Sequence, residues 1–137
     1  MLGIFSPTNV KHYQRPVSLQ TRKTANLQAW KQYVRTEAAK TWTGQIFANQ
    51  DVYLKLIYLY DSDPVDTDNI IKPIQDALIG LIYADDLLIT DVEDHRRSLY
   101  GVFDLTLCPT PLVQGIISGI ECVYVRVSES KPLEDYL

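Results

Sequence analysis

Residues 51–60, which read DVYLKLIYLY, form a short and almost entirely apolar run that predicts a β-strand. On such a strand one face would carry Val52, Leu54, Leu56 and Tyr58, and the other face would carry Tyr53, Lys55, Ile57 and Leu59. Lys55 is the only strongly polar residue between Val52 and Tyr60. Because polar positions are nearly missing from both faces, we expect a central strand that is covered on both sides. Residues 121–128 (ECVYVRVS) also alternate between two faces and predict a second strand.

Apolar residues recur at helical spacing along residues 24–43, which predicts a long helix that ends at Gly44. One side of this helix carries an apolar stripe suited to packing against a core. The stripe consists of Leu27, Trp30, Tyr33, Val34, Ala38 and Trp42. Residues 109–120 predict a shorter helix, closed by Gly119, that buries three aliphatic side chains. These are Leu112, Ile116 and Ile117.

Another helical pattern follows the first strand and ends at Gly80. Asp68 or Asn69 is the expected N-cap, and Pro73 fits because proline is tolerated while the first turn is still forming. The apolar face of this helix consists of Ile70, Ile71, Ile74, Ala77, Leu78 and Leu81. Asp68, Lys72 and Asp76 are spaced four residues apart, so they would stack along the other face.

The rest of the chain predicts less regular structure. Residues 1–20 predict an extended or loop-like arm, and residues 129–137 predict a frayed tail. Residues 87–92 and 98–107 predict the two arms of a hairpin. Together the elements predict an α+β fold, in which helices pack on a mixed β-sheet within a single domain over residues 1–137.

Acidic residues crowd the chain between Asp66 and Asp86. The turn after the helix can lead the chain back toward the helix start, so we expect Asp85 or Asp86 to lie near Asp66 and Asp68. Clustered carboxylates repel one another unless a hard cation such as Mg²⁺ sits among them. Lys72 beside that cation could bind a phosphate. The stretch is therefore a candidate metal site for phosphodiester hydrolysis.

Each of these features also has an ordinary structural explanation. Aspartates around a helix start are common caps that interact with the helix dipole. Lys72 between Asp68 and Asp76 matches an exposed ladder of ion pairs, and the Asp85-Asp86 pair matches a solvated turn. Residue spacing alone therefore leaves both interpretations open.

The net charge of −4 argues against nucleic-acid binding, but the charge is unevenly distributed. Residues 1–40 carry seven basic residues and one acidic residue, whereas residues 61–104 carry eleven acidic and three basic residues. A basic part that binds phosphates beside an acidic part that binds cations suits a nuclease, although a solvated basic helix explains the first part equally well. The candidate DNA-binding residues are Lys11, Arg15, Arg22, Lys23, Lys31, Arg35, Arg96 and Arg97. Among them, Lys31 and Arg35 lie four residues apart, which predicts a row on an outer face of the long helix that suits phosphates.

Three features bear on the compartment of the protein. Cys108 and Cys122 are far apart and lack the spacing of a metal site, so we expect reduced thiols in a cytoplasmic protein. The apolar run at the N-terminus is too short for a signal peptide. The longest apolar run, Ala77 to Ala84, is too short to span a bilayer.

The stretch from Asp66 to Asp86 resembles the RusA family of Holliday-junction resolvases. It reads Asp-x-Asp-Asn-x-x-Lys-Pro-x-x-Asp-Ala-Leu, followed by Gly, an aromatic residue and Asp-Asp. The matching residues are Asp66, Asp68, Asn69, Lys72, Pro73, Asp76, Ala77, Leu78, Gly80, Tyr83, Asp85 and Asp86. Val65 stands where some family members have a basic residue, and PVSLQTRK over residues 16–23 replaces the family's proline-rich loop.

The resemblance implies a small homodimeric endodeoxyribonuclease that cuts four-way DNA junctions in recombination and repair. It implies that the reaction uses Mg²⁺, or Mn²⁺ in its place. By the same resemblance, Asp66, Asp68 and Asp86 are the catalytic metal ligands. Lys72 corresponds to the family's catalytic lysine, and Asp85 is a weaker candidate for the metal site.

Two other functions fit parts of the sequence. A non-catalytic homodimer of the same fold that binds DNA or protein would explain the basic N-terminal part, although the complete set of aspartates and lysine speaks against loss of activity. A transferase of the Asp-x-Asp type would also use metal-binding carboxylates. The sequence contains no glycine-rich loop that would hold the nucleotide phosphates of such an enzyme.

Overall fold

The computed structural model describes the backbone of residues 2–5 and 24–137, and the side chains of residues 27–67 and 69–137. Four strands and three α-helices follow one another along this part of the chain. They are β1 (Leu2–Phe5), α1 (Thr24–Thr41), β2 (Val52–Tyr60), α2 (Thr67–Leu78), β3 (Ile89–Ser98), α3 (Thr110–Ser118) and β4 (Cys122–Glu129). Short 3₁₀ turns lie at Asp86–Leu88, Leu105–Leu107 and Leu133–Tyr136. The predicted α+β class is confirmed.

The four strands form one mixed sheet in the order β1-β4-β2-β3. β4 is antiparallel to both β1 and β2, whereas β2 and β3 are parallel. A parallel pair needs a crossover connection, which α2 provides. Because β2 lies between β4 and β3, the prediction of a central strand is confirmed.

The alternating side chains of β2 divide the core between the two faces of the sheet. Leu54, Leu56 and Tyr58 belong to a large buried cluster with residues of α1 and α2, which we call the α1/α2 face. Leu59 belongs to a smaller cluster with Leu112 of α3, on what we call the α3 face. The stripe predicted for α1 is confirmed at its centre, since Trp30, Val34 and Ala38 are fully buried.

The predicted hairpin after α2 is wrong. β3 continues through the charged segment Glu93–Arg97 and pairs with β2 along its length. Because β3 is an edge strand, its alternate side chains remain in solvent, and charged residues are compatible with strand structure there. After β3 the Leu99 N–H donates to the Tyr60 carbonyl at 2.9 Å, and the chain turns away from the sheet.

α2 begins earlier than predicted because Asp66 is the N-cap, so Asp68 and Asn69 lie in the first turn. The Asn69 N–H donates to the Asp66 carbonyl at 3.0 Å. Pro73 lies inside the helix rather than in a forming turn, and it has no N–H to donate to the Asn69 carbonyl. The helix ends two residues before Gly80, whose φ of 79° belongs to the following turn.

The other two helices also differ from the prediction in detail. α1 ends at Thr41, before Gly44. α3 is closed by Gly119 at φ 67°, as predicted, and it buries Leu112. The expected burial of Ile117 is wrong, because its side chain is 72% exposed on the side of α3 that faces solvent.

The ends of the chain carry more order than the sequence predicts. The frayed tail is wrong, because Leu133–Tyr136 forms a 3₁₀ turn and the Tyr136 ring stacks on the Tyr53 ring at 5.7 Å. The arm predicted over residues 1–20 contains β1, and the rest of it lies outside the described residues. Cys108 and Cys122 are both free. Within the described ranges, every helix is too short or too polar to be a candidate membrane span.

Candidate functional site

Lys72 lies in the middle of α2, and its ammonium group contacts two carboxylates. Its Nζ is 2.8 Å from Oδ1 of Asp76, one helical turn later, and it donates to Oδ2 of Asp86 in the turn before β3. Asp76 and Asp86 raise the pKa of Lys72 to about 12, because both carboxylates favour the charged form. Hydrogen bonds from Lys72 and then from Asp85 lower the pKa of Asp86, and the positive charge of Lys72 adds to this effect. The result is an ammonium group held between the side chains of Asp76 and Asp86.

Two basic side chains of α1 contact α2. The Lys31 Nζ lies 3.7 Å from Oδ2 of Asp76. The Arg35 Nη1 donates to the carbonyls of Ala77 at 3.2 Å and Ile79 at 2.6 Å, where the end of α2 leaves acceptors without intrahelical partners. The predicted outer-face row of Lys31 and Arg35 is therefore wrong, because both side chains are engaged in holding α1 against α2. DNA contact by these two residues stays a prediction.

Asp66 stands at the N-terminus of α2 with its side chain 80% exposed. Its Oδ1 lies 3.8 Å from Nη1 of Arg96 on β3. Arg96 pairs with Tyr58 in the β2–β3 register, so both residues project from the α1/α2 face. Asp66 and Asp86 therefore each have a basic side chain beside them, from a different element in each case.

Asp85 and Asp86 begin the 3₁₀ turn that leads into β3. Oδ1 of Asp85 accepts the Leu87 N–H at 3.0 Å, so this carboxylate caps its own turn. Among the described side chains, no three His, Cys, Asp or Glu residues lie close enough to hold a metal ion together. Asp68 has its backbone in the first turn of α2, and its side chain lies outside the described part.

The family model of endodeoxyribonuclease RusA matches residues 5–101. This chain belongs to the RusA family. The match covers more than half of the chain and includes α1, β2, α2 and β3, together with the whole stretch from Asp66 to Asp86. A comparison with curated proteins found no match.

The family assignment confirms the resemblance seen in the sequence. RusA proteins are Holliday-junction resolvases with nuclease activity on branched DNA, and they generally depend on a divalent metal ion. The RusA match also spans every residue predicted for the metal site and the catalytic lysine. Their individual roles in this chain remain predictions.

The remaining DNA-binding candidates of this RusA chain separate by location. Four of them lie outside the described residues, namely Lys11, Arg15, Arg22 and Lys23. Arg97 pairs with Leu59 and so lies on the α3 face, unlike its neighbour Arg96. There it lines a cavity of about 300 Å³ together with His95 and apolar side chains of β2 and α3. Of the two adjacent arginines, only Arg96 shares a face with the candidate site.

The sequence analysis assigned no role in the site to two acidic residues that the RusA fold brings to the α1/α2 face. Asp76 orients Lys72, although its four-residue spacing indicated only an exposed ion pair. Asp94 pairs with Leu56 in the β2–β3 register, so it lies on the same face as Arg96, two residues away along the strand. Strand alternation would identify Asp94, but the run of charges around it predicted a break in the hairpin instead.

Proposed function

We propose that this RusA-family chain is a Mg²⁺-dependent endodeoxyribonuclease that cuts four-way DNA junctions by phosphodiester hydrolysis. It would act in recombination and repair as a cytoplasmic homodimer, with Mn²⁺ able to replace Mg²⁺. The observation that carries the proposal is the Lys72 ammonium group, fixed between Asp76 and Asp86 on the helix that begins beside the exposed Asp66.

The donor chemistry fits a hard divalent cation. Asp66, Asp68 and Asp86 supply the proposed ligands and Asp85 an auxiliary one, and Mg²⁺ needs few carboxylates because it keeps several waters. The exposed Asp66 is accessible to such an ion, and the contact of Asp86 with Lys72 engages only Oδ2 of its two oxygens. When bound, Mg²⁺ lowers the pKa of a coordinated water and screens the negative charge of the scissile phosphate.

Lys72 supplies a positive charge that is in place before the DNA arrives. Because its pKa is raised to about 12, it stays protonated at neutral pH and cannot serve as a general base. It can instead donate to the anionic phosphate oxygens or to the leaving oxygen as charge develops there. Asp76 and Asp86 hold the ammonium group in position from two sides.

A homodimer matches the symmetry of the proposed substrate. A four-way junction has two-fold symmetry, and two copies of this chain related by a two-fold axis would present two sites for paired nicks. The basic residues of the first forty positions would bind the flanking phosphates. Residues 1–137 would form one domain, and sedimentation equilibrium should show twice the chain mass of 15.7 kDa.

The test is cleavage of a synthetic four-way junction with Mg²⁺, comparing the native chain with Asp68→Asn. The matched control is Asp91→Asn, because Asp91 pairs with Tyr53 and lies on the α3 face. We expect paired symmetric nicks from the native protein and at least about a 100-fold lower rate from Asp68→Asn, since a metal ligand is lost. Asp91→Asn should cut at the native rate. Chelation should stop cutting, and either Mg²⁺ or Mn²⁺ should restore it.

Two other outcomes would change the conclusion. Tight junction binding by the native protein without any cutting would favour a non-catalytic binding homodimer of the same fold. Equal cutting by the native chain and Asp68→Asn would reject the proposed role of Asp68 in the metal site.

A further inference from the structure

Arg96 projects toward Asp66 from the edge strand of the sheet. Its Nη1 lies 3.8 Å from Oδ1 of Asp66, and the two side chains are 42% and 80% exposed. An ion pair this open to water is weakly held, because solvent screens the attraction. Arg96 can therefore leave Asp66 for a partner that binds it more strongly.

The Arg96–Asp66 pair differs from the Lys72–Asp86 pair in how firmly the cation is held. Lys72 has a second carboxylate, Asp76, at 2.8 Å, so it keeps its position if Asp86 turns to another partner. Among the described side chains, Asp66 is the one acidic group that Arg96 contacts. Lys72 is thus a fixed charge, whereas the Arg96 guanidinium is free to move once Asp66 is occupied.

We propose that Arg96 is a further catalytic residue, which neutralises Asp66 in the free protein and transfers to the scissile phosphate when a divalent cation binds at Asp66. This inference rests on the function proposed above. A divalent cation at Asp66 repels the guanidinium group, and a phosphate brought to the same place attracts it. The planar fork of arginine can donate to two phosphate oxygens at once, which a lysine cannot do.

The placement of Arg96 also sets it apart from the other basic side chains nearby. It projects from the α1/α2 face, from which Asp66 is reached, whereas Arg97 projects from the opposite face and lines the cavity there. Arg126 pairs with Lys55 on the α3 face and is exposed. It offers a matched control, because it is an arginine in the same sheet without access to the site.

The test compares Arg96→Gln and Arg126→Gln in two separate measurements. The first is Mg²⁺ binding without DNA, followed by calorimetry. Arg96→Gln should bind Mg²⁺ about threefold more tightly, because a competing positive charge at the edge of the site is removed. The second is the maximal rate of junction cutting at saturating Mg²⁺, which should fall at least about 100-fold because a donor to the phosphate is lost. Arg126→Gln should match the native protein in both.

A conservative variant separates charge from geometry. Arg96→Lys should retain native Mg²⁺ binding but recover only part of the cutting rate, because lysine supplies the charge without the fork. The slope of junction affinity against salt concentration, both as logarithms, should decrease by about one in Arg96→Gln, which corresponds to the loss of one phosphate contact. The slope should stay at the native value in Arg96→Lys. Circular dichroism and melting temperature would show that both variants are folded.

Loss of a residue with only a structural role would not give tighter Mg²⁺ binding together with slower cutting. Equal loss of both in Arg96→Gln, or rates equal to those of Arg126→Gln, would overturn the role of Arg96. Failure of the native protein to bind Mg²⁺ or to cut would instead reject the proposed function itself. The two failures are therefore distinguishable in the same experiment.

Discussion

On the α1/α2 face of this protein one cation is shared by two carboxylates, whereas on the α3 face one carboxylate is shared by three donors. The cation is Lys72, which contacts Asp76 and Asp86. The carboxylate is Glu93 on β3. Its contacts are Tyr53 Oη at 2.8 Å, Lys55 Nζ at 3.2 Å and His95 Nε2 at 3.0 Å.

The difference bears on where the proposed metal ion and phosphate would bind. An excess of carboxylate oxygens leaves acceptors for an added metal cation, and the fixed ammonium group beside them can hold an anion. A carboxylate surrounded by donors is already satisfied, and it gains little from a further cation. The neighbouring groups account for the pKa shift on each face. Asp76 and Asp86 raise the pKa of Lys72 to about 12, whereas His95, Tyr53 and Lys55 lower that of Glu93 to about 2.

The largest expected contrast is between the two paired lysines. Lys72→Met should lower the rate of junction cutting at least about 100-fold, because it removes the charge proposed to stabilise the transition state. Lys55→Met, which removes a similarly paired lysine from the α3 face, should change the rate less than about threefold. Single-turnover cleavage at saturating Mg²⁺ would measure both. Equal rates for the two variants would end the functional distinction between the faces.

The hydrophobic cluster on the α1/α2 face should contribute more to stability than the cluster on the α3 face. Leu56 is 2% exposed within the large cluster, whereas Leu112 is 7% exposed and lines the cavity of about 300 Å³. Leu56→Ala should lower the free energy of unfolding by roughly 4 kcal/mol and Leu112→Ala by roughly 2 kcal/mol, because a residue at a cavity wall has fewer contacts to lose. Urea unfolding would measure the two values, provided that the dependence of the unfolding free energy on urea concentration is the same in both variants. A larger loss for Leu112→Ala would reverse the ranking of the cores.

Local patterns predict those elements whose side chains meet a uniform environment. β2 alternates between two covered faces, and the predicted central strand is confirmed. The stripe of α1 packs against one core, so its buried centre is also predicted correctly. The pairing of Lys72 with Asp76 follows from their four-residue spacing, because such residues are neighbours on a helix surface.

The sequence fails where the outcome depends on distant partners. Glu93–Arg97 is a run of charges that indicates a turn, and only the pairing with β2 makes it a strand. The contact of Arg96 with Asp66 joins residues thirty positions apart, and no local period contains it. Arg35 was predicted to face outward because it lies outside the apolar stripe of α1. The sequence of α1 does not show that the end of α2 packs beside Arg35 and offers it the Ile79 carbonyl.

The contact between α1 and α2 should contribute more to stability than an exposed arginine of the sheet. Arg35→Met removes two charged hydrogen bonds to the carbonyls at the end of α2, so it should lower the free energy of unfolding by about 2 kcal/mol. Arg126→Met, at an exposed position of β4, should lower it by less than about 0.5 kcal/mol. Chemical denaturation of both variants would measure the difference. An equal effect would mean that Arg35 contributes no more than a surface charge.

The smallest expected effect is the pH dependence of the Glu93 cluster. The folded-state pKa of Glu93, about 2, lies below its ordinary value of 4.5, so the native state favours the ionised carboxylate. The stabilisation is therefore complete above pH 4.5 and is lost progressively as the pH falls toward 2. Solvent screening keeps it small, because the Glu93 side chain is 42% exposed.

Glu93→Gln should therefore be less stable than the native protein near neutral pH, and the difference should shrink as the pH falls from 4.5 toward 2. Glu134→Gln, on the exposed C-terminal turn, is the control and should track the native protein. Urea unfolding of the three proteins across this pH range would show the convergence. A difference that stays constant with pH would mean that packing, and not the ionised carboxylate, is what Glu93 contributes to the α3 face.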